Sequence, residues 1–100
     1  MVPTTTTVSG AAAANTFVDY GPFNAGQIQV DVTTMSGNPD VYLQLGASAT
    51  ESAYRNVSKE PGSANEFLRD NTGGMTYLRV KANGVASSWS ITTRWLPPSP

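Results

Sequence analysis

Short runs along this chain alternate apolar and polar residues with a period of two, and Gly, Asn, Asp and Pro interrupt them roughly every ten residues. Successive side chains of a strand point to opposite faces, so such runs read as half-buried strands. The clearest is 27–33, with Ile28, Val30 and Val32 on one face and Gln29 and Asp31 on the other. After the turn Ser36-Gly37-Asn38-Pro39, residues 40–46 put Val41, Leu43 and Leu45 toward a core and turn Tyr42 and Gln44 outward. Residues 76–82 bury Leu78, Val80 and Ala82 and present Tyr77, Arg79 and Lys81 to solvent. Residues 88–95 set Trp89, Ile91, Thr93 and Trp95 against Ser90, Thr92 and Arg94. Trp89 is expected in the core, and Trp95 at the sandwich edge or exposed. Weaker strands are expected at 16–23, 54–57 and 66–69. No segment keeps a helical period over ten residues, so only a turn is expected around 49–54. The pattern is that of an all-β sandwich or barrel.

A chain of 100 residues has the length of one domain. Its ends read as linkers, because Thr4 to Thr7 is a polar run after Pro3 and Leu96-Pro97-Pro98-Ser99-Pro100 cannot continue a strand. The expected organisation is an N-terminal arm at 1–8, a sandwich at 9–96 and a proline-rich tail at 97–100. The residues from Met1 to Ala14 contain neither a leader-like nor a membrane-spanning stretch. A secreted or extracellular location is expected all the same, through a leader already removed or export within a particle.

Composition narrows the chemistry. A hydrophobic fraction of 39% with 13% charged residues suits a folded, extracellular type of β-protein. A net charge of -1 without blocks of either sign makes nucleic acid and membrane surfaces poor partners. With no histidine and no cysteine, the Ser-His-Asp and Cys-His arrangements and thiolate metal sites are excluded. The acids are scattered along the chain, Lys59 and Lys81 have no serine on a strained elbow beside them, and Gly62 and Gly73-Gly74 read as turns. No enzymatic activity is expected. Asn56-Val57-Ser58 matches the glycosylation acceptor pattern, a match short enough to arise by chance. No cofactor is expected. Calcium is the cation that would suit loop oxygens, with Asn38 and Asp40 in one turn and Asp70 and Asn71 in another as candidate donors, although turn formation accounts for the same residues.

Aromatic side chains are then the remaining carriers of function, since they offer stacking surface together with a hydrogen-bonding group. Tyr42 and Tyr77, accompanied by Gln44 and Arg79 and with Trp95 near the edge, form the candidate ligand-binding set.

The ordered set Gly37-Asn38-Pro39-Asp40-Val41-Tyr42-Leu43-Gln44-Leu45-Gly46, then Tyr54, Gly62 and Glu66, then Thr76-Tyr77-Leu78-Arg79-Val80 and Ser88-Trp89-Ser90-Ile91, resembles the bacterial pre-peptidase C-terminal domain. The likeness extends upstream through 17–23 and 28–32. It implies a jelly-roll-like antiparallel β-sandwich attached to secreted hydrolases, with relatives among the collagen-binding domains of bacterial collagenases, which use calcium. One acid, Asp40, stands before the Tyr strand where family members commonly have two. The function expected on this footing is an accessory domain that attaches a hydrolase to polysaccharide or fibrous protein through an exposed aromatic sheet face. The alternatives are a structural protein, such as a phage capsid decoration or a cell-surface adhesion domain, and a propeptide-like aid to secretion or folding.

Overall fold

The computed structural model describes residues 3–97, which form eight strands and no helix. In chain order these are β1 (Thr4–Ala12), β2 (Phe17–Phe23), β3 (Gly26–Ser36), β4 (Pro39–Leu45), β5 (Asn56–Ser58), β6 (Glu66–Thr72), β7 (Thr76–Ala82) and β8 (Ser87–Leu96). Sheet I has the order β1-β8-β3-β6 and sheet II the order β2-β7-β4-β5, with every neighbouring pair antiparallel. The pairing is nested: β1 lies against β8, β2 against β7, β3 against β6 and β4 against β5. A long hairpin wrapped into two packed layers gives this order, so the chain is a jelly-roll β-sandwich.

Alternation builds the core as expected. Ile28, Val30 and Val32 of β3 meet Val41 and Leu43 of β4, Leu78 and Val80 of β7, and Trp89 and Ile91 of β8 between the sheets, all of them buried. Trp89 satisfies its indole by donating from Nε1 to the Tyr20 hydroxyl at 3.0 Å, which joins the two sheets. Gly10 of β1 faces Trp89, and a Cβ there would lie 2.5 Å from Trp89 Nε1, so only glycine lets the edge strand close over the indole.

Three expectations are corrected. The N-terminal arm is not a linker: residues 4–8 are the first part of β1, and Thr4 to Thr7 pair in register with Trp95 to Thr92. β-branched threonines favour extended backbone, and a hydroxyl tolerates a half-wet sheet edge; the Thr7 and Thr92 hydroxyls share a hydrogen bond of 2.9 Å. The sandwich therefore begins at Thr4. Leu45 is not core but exposed, because β4 ends there as the chain leaves the sheet. Tyr42, assigned to solvent, is buried at 2% exposure. Pro97 follows β8, and the remainder of the proline tail, 98–100, lies outside the described residues with Met1 and Val2.

Candidate functional site

The residues singled out for binding fall in two places. Tyr42, Gln44, Tyr77 and Arg79 share the outer face of sheet II, where β4 and β7 bring Tyr42 opposite Arg79 and Gln44 opposite Tyr77. The 46–55 connection folds back over this face. It is anchored by the Arg55 N–H donating to Leu43 O at 2.6 Å and by the Lys81–Glu51 ion pair at 2.6 Å. Ala49 within it is buried, the Tyr54 ring lies 5.6 Å from that of Tyr42, and Lys59 Nζ stands 6.0 Å from the Tyr42 ring centre. Burial pushes the Tyr42 hydroxyl up to about 12, with Asp40 and Glu51 adding to the effect.

Arg79 is also engaged. It pairs with Asp19 through two hydrogen bonds of 2.7 and 3.1 Å, and its guanidinium lies 3.5 Å from the Phe17 ring centre. Gln44 turns back to accept the Leu45 N–H at 2.9 Å. Tyr77 is half-buried. On this face Tyr42 is covered and Arg79 and Gln44 are engaged within the chain, while Tyr77 is half-buried and Tyr54 and Phe17 are exposed.

The proposed calcium donors sit at the start of β4. Asp40 is buried, accepts from Asn83 Nδ2 at 3.0 Å, and has its carboxyl raised above the usual range by burial. The Asn38 N–H donates to Ser87 Oγ at 2.9 Å, while its Oδ1 is buried without a hydrogen-bond partner. Among the described residues, no three His, Cys, Asp or Glu side chains gather as a metal site requires. A second buried acid, Glu66 on β6, accepts from the Ser58 hydroxyl at 2.6 Å and from the Glu60 N–H at 2.9 and 3.1 Å. It ties β6 of sheet I to the chain leaving β5 of sheet II. Burial raises its carboxyl also, in spite of these donors.

Trp95 lies on the other sheet, at the open side of the sandwich where the edge strands β1 and β2 face one another. It is half-buried and donates from Nε1 to Asn24 O at 3.0 Å. With Thr4, Thr6, Pro22, Phe23, Asn24 and Thr93 it lines a cleft of about 410 Å³, and a smaller cleft of about 160 Å³ adjoins it along Val8, Tyr20 and Ile91. No charged side chain lines either one.

Beside this cleft runs the free edge of β1. Sheet edges expose unpaired N–H and C=O groups that can accept a further strand, and proteins blunt them. Three of the four edges are blunted. β5 is only 3 residues long, and β2 is broken by Pro22 and a register shift between Tyr20 and Phe23. β6 is capped: Asn56 Nδ2 donates to Arg69 O, Arg55 to Asn71 O, and Ser58 Oγ accepts from the Phe67 N–H. β1 is 9 residues long, without charge or proline, and among the described residues no side chain hydrogen-bonds to its backbone. Reading the chain as sequence missed this edge, although four threonines followed by Val8 were a strand signal in plain view.

Fold and edge together define a jelly-roll sandwich with one strand left open for pairing. No family model and no curated protein matches the chain. Among solved structures it is similar to one described as "Bacillus endospore appendages form a novel family of disulfide-linked pili", which aligns over 96% of this chain and 88% of that one with a TM-score of 0.52 and 14% identity. That likeness is one of fold.

Proposed function

We propose that this chain is a non-catalytic structural module of a surface or particle, and that it works by joining chains edge to edge. The observation that carries this reading is the uncapped β1 edge in a molecule whose other edges are blunted. The shared fold with a pilus protein supports it. These 100 residues contain no cysteine, so the joining proposed for β1 uses backbone pairing and not disulfides. Attachment of an enzyme to polysaccharide or fibrous protein through this face is a separate reading that cannot rest on Tyr42, which is buried against the 46–55 connection.

Sedimentation velocity over a wide concentration series, with electron microscopy of the densest samples, tests the proposal. Mass is expected to rise above the 10.5 kDa of the single chain as concentration increases. A chain that stays single throughout and forms no assembly would overturn the reading, and retention of that single chain on chitin, cellulose, starch or collagen would restore the attachment role in its place.

A further inference from the structure

We infer that the strand which completes the β1 edge is β1 of a second copy, paired antiparallel about a two-fold axis through Val8. The inference rests on the joining role proposed above and names its partner and register.

The side-chain sizes along β1 fit this pairing. β1 reads Thr4-Thr5-Thr6-Thr7-Val8-Ser9-Gly10-Ala11-Ala12, branched in its first half and small in its second. Antiparallel pairing centred on Val8 sets Thr4 opposite Ala12, Thr5 opposite Ala11, Thr6 opposite Gly10 and Thr7 opposite Ser9. Each threonine then meets a small residue, and only Val8 meets its own copy. Parallel self-pairing would instead stack threonine on threonine and leave glycine against glycine.

Backbone parity restricts the register. β1 is bonded to β8 along one side, so alternate residues turn their N–H and C=O groups outward. Two copies can match those groups only in registers where some residue faces its own copy. Of these, the one centred on Val8 uses the whole strand. It also keeps the core-facing set, Thr6, Val8 and Gly10 among them, on one side of the joined sheet.

Charge and apolar contact agree with the same pairing. β1 and the clefts beside it carry no charge, so two copies meet without like-charge repulsion. Val8, the one large apolar side chain of the strand, is 42% exposed at its centre, and the two-fold brings it against its own copy.

Charge and crosslinking variants at the axis give the test. V8K and V8E each place two like charges face to face and are expected to weaken association at least tenfold, whereas an equimolar mixture of the two restores it. Paired residues lie about 4.5 to 5.5 Å apart between Cα atoms, within disulfide reach, so oxidised V8C is expected to form a crosslinked dimer. T5C, whose copies stand roughly 20 Å apart in this register at ~3.4 Å per residue, is expected to crosslink at least tenfold more slowly. Circular dichroism melts establish that each variant is folded, which the exposure of Val8 favours. Equal crosslinking of V8C and T5C, or V8K association equal to that of the parent chain, would overturn the two-fold. An assembly that persists in V8K leaves the joining role standing on another surface, while a parent chain that never associates removes both.

Discussion

Tyr42 occupies the face that alternation assigns to it, yet it is buried. A period of two says which side of a sheet a residue takes; it does not say whether another segment covers that side. The cover is the 46–55 connection, whose small and polar residues carry no strand pattern, and its packing comes from Ala49, Tyr54 and the Lys81–Glu51 pair. Tyr42→Ala is therefore expected to cost about 3 kcal/mol of stability, as large-to-small changes at buried aromatics do, and thermal melts will read it. The same limit applies to Arg79, legible as an outward strand residue but not as the partner of Asp19 and Phe17. Trp89, by contrast, was legible as core, because its period and that of Ile91 agree and the core between two sheets has no other cover to find.

At the scale of elements, the long strands announced themselves and the edges did not. β3, β4, β7 and β8 are central or carry a strong apolar alternation, and their positions agree with the expected runs. β1 lacks that alternation because an edge strand buries little, so its threonines resembled a linker. β6 was legible only as far as Arg69, since its last residues are polar and its edge is sealed from outside by Arg55, Asn56 and Ser58. Removing two of those caps is expected to open a second edge. The double variant Arg55→Ala with Asn56→Ala should acquire association that V8K does not suppress, and sedimentation of the triple variant measures it.

Across the whole molecule, two buried acids set the response to pH. Asp40 and Glu66 have carboxyls raised from 3.8 and 4.5 by burial, so the folded state holds their protons more tightly than the unfolded chain. Lowering the pH from neutral toward those unfolded values then increases stability. Asp70 and Glu51 act the other way: hydrogen bonds from Arg55 and Lys81 lower their carboxyls, and the stability they contribute is lost as pH falls below 3.8 and 4.5. Unfolding midpoints in denaturant should rise as pH falls from neutral and decline again below the ordinary carboxylate range, and a midpoint that climbs steadily to pH 7 would contradict this balance. Thr4 stands opposite Trp95, so both chain ends leave the β1–β8 ladder at the same end. A pull that separates them opens that ladder one residue pair after another, like a zip, whereas a load entering through the β1 edge is shared by the whole length of the strand at once. In the two-fold pair, tension carried across the joined β1 strands would fall on the whole ladder, whereas tension between the termini would fall on one residue pair at a time.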